Sequence, residues 1–364
     1  MPYMIFVVLV VAISSSAGQF DYNGQISGWA GASGNLDENS SGIGVRLTPY
    51  TRYNHNLSST SYIELEAAAN AYAWYDSRRA TEGLKLYRLK VMAATAQSDL
   101  RIGLQKLNFG QAQLLRPLMW FDRVNPTDPL QMTSGVYGIR YRHVFLNNAN
   151  IWVWGLYGND GVKGLEQLPT VDDVIEPGGR LQLPLYNGEF AVSGHARRVN
   201  GAVQGYHVFP EYRIALDGKW DAGAGLWIET AYQQGGSDEI DNPVRLTTTA
   251  GTDYTFTIGN GLYVLAEHMN VRAGDRLTRT IYDANLTAMM VSYPFSFYDN
   301  LSVLLLVNWN PQLSLSQVQW VRSWNSVELN VTIFHAPSSS ILGQSGSLGD
   351  LAGFGGRLMM IYTF

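Results

Sequence analysis

Phe354-Gly355-Gly356-Arg357-Leu358-Met359-Met360-Ile361-Tyr362-Thr363-Phe364 closes the chain, and its alternation decides the fold. Phe354, Gly356, Leu358, Met360, Tyr362 and Phe364 fall on one side of an extended segment, and Arg357, Met359, Ile361 and Thr363 on the other. A period of two belongs to a strand whose two faces meet different surroundings. The pattern recurs upstream. Val327, Leu329, Val331 and Ile333 alternate with Glu328, Asn330 and Thr332, and Trp220, Leu226, Ile228 and Tyr232 with Asp221, Glu229 and Gln233. Tyr212, Ile214 and Leu216 alternate with Glu211, Arg213 and Asp217; Tyr137, Ile139 and Tyr141 with Arg140 and Arg142; Leu100 and Ile102 with Arg101; Tyr87, Leu89 and Val91 with Arg88 and Lys90. Each strand is expected to carry one apolar face and one face of fixed charge. A sustained 3.6-residue period is almost absent.

Composition agrees with two unlike surfaces on the same strands. The 364 residues include 10 Trp, 21 Tyr, 13 Phe and 37 Gly, no Cys, and only 15% charged side chains. A soluble domain carries about 25% charged residues, yet mean hydropathy is -0.08, so the chain is not apolar on average. Disorder is excluded by the aromatics, and a helical membrane protein by the lack of repeated apolar runs of about 20 residues. Without cysteine there are no disulfides, thiolate zinc sites or Fe–S clusters. The net charge of -5 leaves no basic footprint for nucleic acid.

The connections come in two lengths. Tight turns are expected at 97–99, 147–149, 187–188, 217–219, 259–261, 297–300 and 323–326. Longer segments lie between them, at 33–42, 76–83, 109–133, 158–178, 234–250, 272–279 and 336–351. Short and long mostly alternate, which places all tight turns at one end of the molecule. Walking the parity through gives 18 candidate strands; the least marked are 251–258 and the short pair around Asn187-Gly188, and losing one pair would leave 16. In hydrocarbon each unpaired backbone group costs several kcal/mol, so a sheet with a lipid-facing side must close on itself. The expected fold is all-β: a transmembrane antiparallel β-barrel of about 18 strands. Outward aromatics near strand ends (Tyr22, Trp220, Tyr232, Tyr362, Phe364) suit interfacial girdles.

At the N-terminus, Ile5–Ile13 is a nine-residue apolar run followed by small residues, Ser16 and Gly18, before Gln19. This is the layout of a signal-peptide core and cleavage site, although the preceding residues contain no Lys or Arg. Residues 1–18 are therefore expected to be a signal peptide and 19–364 the barrel. The closing strand, with Phe364 at the terminus and Tyr362 two residues earlier, resembles the C-terminal signature of bacterial outer-membrane barrels. That resemblance implies the cell outer membrane of a Gram-negative-type bacterium, outer-membrane lipid and lipopolysaccharide as surroundings, and Tyr362 and Phe364 as the signal read by the barrel-assembly machinery. A second resemblance covers about 30 residues: Gly103, Gln105, Gly110, Asn125, Pro126 and Asp128 are similar to a pattern found in alginate-export-type and related single-chain porins. It implies a porin without carrying over a substrate.

The loop 109–133 is the most unusual segment, combining Trp120, Phe121, Pro117, Pro126 and Pro129 with Arg116, Asp122, Arg123 and Asp128. Apolar side chains and fixed-φ prolines suit a loop that packs against something. It is expected to fold into the barrel as a constriction, with Arg116, Asp122, Arg123 and Asp128 offered to solutes. Expected pore-lining residues are Arg88, Lys90, Arg101, Arg140, Arg142, Arg197 and Arg213, opposed by Glu211 and Glu229. Arg46, Arg52, Arg180 and Arg357 share that parity, as do Glu64, Glu66, Asp217, Glu267 and Glu328; the balance favours mild anion preference, the excess acid lying in outer loops. The six histidines have no metal-ligand spacing, His207 being placed near Glu229 at most, and no Gly-x-Ser-x-Gly is present. No cofactor, metal or catalytic residue is expected. The expected function is a non-enzymatic porin passing small hydrophilic solutes, as a monomer or trimer. The alternatives are a lipase- or protease-type barrel enzyme and a plugged structural barrel holding a partner protein.

Overall fold

A computed structural model describes residues 18–34, 39–76, 80–236, 243–276, 278–337 and 352–364. Apart from Gly18, the expected signal peptide lies outside the described residues, as does most of the segment 336–351. The rest is one 18-stranded antiparallel sheet. In chain order the strands are β1 (Gly18–Gly34), β2 (Asn39–Asn56), β3 (Tyr62–Asp76), β4 (Ala80–Ala94), β5 (Ser98–Gln105), β6 (Val136–Val144), β7 (Asn150–Leu156), β8 (Glu176–Leu185), β9 (Gly188–Val199), β10 (Phe209–Asp221), β11 (Gly225–Gly235), β12 (Val244–Phe256), β13 (Leu262–Arg276), β14 (Arg279–Pro294), β15 (Asp299–Trp309), β16 (Gln312–Ser323), β17 (Val327–Ala336) and β18 (Gly353–Thr363).

Each strand pairs with its chain neighbours, and β1 pairs with both β2 and β18, which closes the barrel. The seam is completed by reciprocal bonds in which Gly24 N–H and Phe364 N–H each donate to the other's carbonyl at 3.0 Å. Tyr22 and Phe364 lie ring to ring at 5.7 Å beside it. No edge is left for another chain to extend, as closure requires.

The count of 18 matches the expectation, and both doubtful regions are strands. One turn was misplaced. Asp217-Gly218-Lys219 lies inside β10, and the chain reverses at 222–224, where Asp221 Oδ1 accepts the Gly223 N–H at 3.0 Å. Several segments expected as long connections are shorter because their strands pair further: β13 and β14 continue to Arg276 and Arg279. Backbone groups beyond the apolar belt still gain by pairing with each other. The belt ends on this hairpin near Trp309, whose indole donates to Thr287 Oγ1 at 2.9 Å. Beyond it Asn270 donates to Asp283 and Asn285.

Parity holds in the closing strand. Leu358 and Met360 are 51% and 58% exposed, while Met359 and Ile361 are almost fully enclosed. The expectation of fixed charge on every inner face fails. Inner positions of β2–β11 carry most of the charge. From β13 to β18 the inner side carries Leu265, Met269, Leu286, Ala288, Leu304 and Leu306, and only Glu267, Glu328 and Arg357 are charged. The core clusters explain the difference, because loop residues Ala112, Leu114 and Leu115 pack on this apolar stretch of wall. A wall that receives a packed loop is selected as core, and only a wall that stays wet needs charge.

Candidate functional site

The 30 residues between β5 and β6 lie inside the barrel. The departure is set at the end of β5. Gly103 has φ +117°, and a Cβ there would sit 2.2 Å from the Leu89 carbonyl oxygen. Gln105, buried, donates to the Gly138 carbonyl at 3.0 Å. From there the chain crosses to β11 and β13, where two carboxylates receive it. Glu229 accepts the N–H groups of Gln111 and Ala112. Glu267 accepts those of Gln113, Leu114 and Leu115 at 2.6, 2.9 and 2.5 Å, and the Trp227 indole N–H at 3.0 Å. Five successive backbone donors thus end on two inward acids. The approach needs Gly110: its φ is +100°, and a Cβ would lie 2.4 Å from Glu229 Oε1.

Behind this crossing an aromatic cluster fixes the loop to β7 and β9. Phe109 stacks on Trp154 at 5.6 Å and meets Trp120 edge-on at 5.5 Å; Phe121 meets Trp154 and His195 edge-on. The return limb is held on the other side of the barrel. Arg88 donates to Thr133, Arg46 to the Met132 sulfur, and Arg357 to the Thr127 carbonyl at 3.0 Å. Asn125 Oδ1 accepts from Thr127 N–H, and Asp128 Oδ1 from Leu130 N–H, so the Asn125-Pro126-Thr127-Asp128 stretch is a side-chain-capped turn. Gly103, Gln105, Gly110, Asn125 and Asp128 therefore have roles in routing and shaping this loop.

A second inward loop, between β7 and β8, docks on the first. Arg123 Nε donates to the Gly164 carbonyl at 2.8 Å, and Leu165 N–H to the Met119 carbonyl at 3.0 Å. Its Glu166 lies within 3.0 Å of both Arg197 and Arg213, and Glu211 binds the same two arginines. Lys163 reaches Glu176, which also contacts His195. The sequence marks 158–178 only as a long connection; the signal of an inward loop was Lys163 and Glu166 beside Leu165 and Leu168.

The expected constriction residues separate. Arg116 and Arg123 border a cavity of about 680 Å³ on the long-loop side. Asp122 does not face it: the carboxyl is enclosed, its Oδ2 accepts the Leu107 N–H at 3.1 Å, and its Oδ1 has no hydrogen-bond partner among the described residues. Burial pushes its carboxyl up to about 7, against the pull of Arg88 and Lys106. Asp128 lies on the return limb, where its charge acts on Arg46 and Arg357. Loop acids Asp122 and Glu166 are thus inside the barrel, contrary to the expectation that excess acid lies in outer loops.

The expected pore-lining residues all point inward, and most are neutralised. Lys90 bridges Glu64 and Glu66 at 3.4 and 2.6 Å. Arg101 and Arg140 share Asp99, and Arg180 makes a two-point contact with Asp217 at 2.5 and 2.7 Å. Arg142 lies over the Trp152 ring. Glu229 pairs across its hairpin with Asp217 and Thr249, so the expected His207 contact does not form in that register. Glu267, the main anchor of the loop, was only one acid among several in the sequence.

A second space of about 740 Å³ opens at the short-turn end, bordered by Glu189, Lys219, Asp253 and Tyr263. Gln111 and Gln113 reach Glu189 and Asp253 there, whereas Leu114, Leu115 and Arg116 border the long-loop cavity. The segment 109–116 therefore separates two spaces of similar size.

No protein-family model matches the chain, and no curated protein matches its sequence. Its fold matches solved structures. OpdQ of Pseudomonas aeruginosa aligns with a TM-score of 0.59 at 8% identity, over 95% of this chain and 98% of that one. The anion-selective porin of Comamonas acidovorans gives 0.56 at 11%, over 95% and 100%. OmpF of Salmonella typhi gives 0.56 at 10%, over 96% and 98%. The architecture is that of the outer-membrane porins.

Proposed function

We propose that the chain is a porin of the Gram-negative outer membrane, through which small hydrophilic solutes diffuse passively. The observation that carries this reading is the inward loop: a barrel with an apolar outside and an inside charged along β2–β11 is divided by one segment, 109–116, into two spaces open to opposite ends. The porin fold of the structural neighbours supports it. On this reading the loop sets the size limit, and Tyr362 and Phe364, at the closing seam, serve barrel assembly.

Mild anion preference follows from the residues left unneutralised. In the long-loop cavity Arg197 is matched by Glu166 and Glu211, while among the described residues no carboxylate comes within ion-pair distance of Arg116, Arg123 or Arg245. The similarity to a porin named as anion-selective is consistent with this. Purified protein in a planar bilayer should give steady conductance steps, with a reversal potential in a KCl gradient of the sign for anions. Cation preference would refute the selectivity. Silence would refute the channel and favour a plugged barrel, a reading that draws on the loop's anchorage to walls on both sides of the lumen.

A further inference from the structure

The long-loop cavity has an unusual lining for a path meant only for ions or sugars. Its charged groups are Arg116, Arg123, Arg197 and Arg245, with Glu166 and Glu211, and both acids are held by Arg197 and Arg213. Arg116 spends one nitrogen on Asn108 and the Phe109 carbonyl, and Arg123 its Nε on Gly164. The remaining N–H groups and the Arg245 guanidinium are free of acid partners among the described residues. Much of the rest of the lining is apolar: Met269 and Val271 from β13, Leu286 from β14, and Leu114 and Leu115 from the loop. Packing of the loop accounts for Leu265, Leu304 and Leu306 deeper in the wall, but Met269 and Val271 also border open space. Guanidinium groups offer planar, two-point recognition of carboxylates. An apolar wall beside them favours a ligand that removes apolar surface from water. At about 680 Å³ the cavity has the size of a small-molecule site.

We infer that this cavity is a subsite for organic monoanions with an apolar body, such as aryl- or alkyl-carboxylates, the carboxylate meeting Arg245 and its neighbours while the body lies on Met269, Val271 and Leu286. The inference rests on the channel reading for its physiological meaning, though the site itself does not require conduction.

The test uses the full barrel in planar bilayers with KCl, adding 3-phenylpropionate, propionate or 3-phenylpropylammonium from the long-loop side. Half-block by 3-phenylpropionate is expected at a concentration about tenfold or more below that for propionate, with no comparable block by the ammonium compound. Arg245→Gln should raise the half-block concentration for both anions. Val271→Asn should bring 3-phenylpropionate to within about threefold of propionate while leaving propionate unchanged. Equal half-block by the two carboxylates, or equal block by the ammonium compound, overturns the subsite and leaves the channel standing. Equilibrium dialysis of labelled 3-phenylpropionate against the same protein separates the two readings. Saturable binding without KCl conductance refutes the channel and supports the subsite. If a variant fails to show the barrel's circular dichroism, the three-ligand comparison on the unaltered protein still decides.

Discussion

Glu267 holds the loop, and replacing it with Gln is the most direct test of that statement. The carboxylate accepts three backbone N–H groups and an indole N–H. Glutamine keeps one acceptor oxygen and turns the other into a donor. With the amide oxygen placed at Oε1, Gln113 and Trp227 keep their partner, while the N–H groups of Leu114 and Leu115 face an NH2. Each lost bond to a charged acceptor is worth about 1.5–3 kcal/mol. Because the two share one oxygen they do not add fully, and a net loss of about 3–4 kcal/mol is the working figure. Burial of Leu114 and Leu115, about 1.5–3 kcal/mol each, still favours docking. The loop should therefore open more often without leaving permanently, by a factor on the order of 10² to 10³ in the open population. Hydrogen exchange read by mass spectrometry should show amides 111–115 exchanging faster by that factor, while the strands of β13 and β14 are unchanged. Single-channel records should show a noisier open level with excursions to higher conductance. Exchange at 111–115 within threefold of the unaltered protein would refute the idea that Glu267 anchors the loop.

Four other outcomes follow from the same geometry. Gly110→Ala introduces a Cβ against Glu229 Oε1 at a positive φ, a strain of about 1–2 kcal/mol; exchange at Gln111 and Ala112 should quicken about tenfold or more, and unchanged rates would mean the approach tolerates a side chain. Deleting 112–131 should raise conductance severalfold; the same conductance would refute a constriction role. Asp122 titrates near 7 in the folded loop against 3.8 for an ordinary Asp, so the folded form holds the proton more tightly and loop stability falls as pH rises from about 4 to 7, by on the order of 4 kcal/mol. Asp122→Asn should abolish that slope, and exchange at Leu107 that quickens from pH 5 to 8 as much in the variant as in the parent, after correction for the intrinsic rate, would contradict it. Replacing Arg123 and Arg245 together with Gln should move the reversal potential towards cations; an unmoved potential would place the selecting charges elsewhere.

Strand number and facing were legible because each strand meets two solvents at once. Leu358 and Met360 against Met359 and Ile361 show how little depends on the side chain itself, since all four are apolar and only parity separates them. The same logic hid the wall from β13 to β16. Leu286 and Leu304 look inward and Met289 and Val303 outward, so both faces are apolar and alternation has no contrast to report. The loop was legible as a packed object through its prolines and aromatics, but its partners were not. Glu229 and Glu267 lie more than 100 residues away, and an acid that accepts backbone N–H groups has no sequence mark to tell it from one that faces solute.

That distinction changes how the interior charge is to be counted. Read along the chain, inward bases outnumber inward acids, but every one of them counts as if it faced solute. In the folded barrel Glu229 and Glu267 are turned against the loop backbone, and Asp217, Asp99 and Glu64 against basic side chains of the wall. The neutralised pairs are mostly in the wall, whereas Arg116 and Arg123 are on the loop that solutes must pass. A loop that borrows acids from the wall to hold itself in place leaves bases as the free charge at the narrowest point. Loop anchorage and anion preference would then be one device, and releasing the loop should weaken both together. Glu267→Gln should therefore shift the reversal potential towards neutrality as well as raising conductance. A variant with a freed loop and unchanged selectivity would show that the field is set by the wall arginines alone.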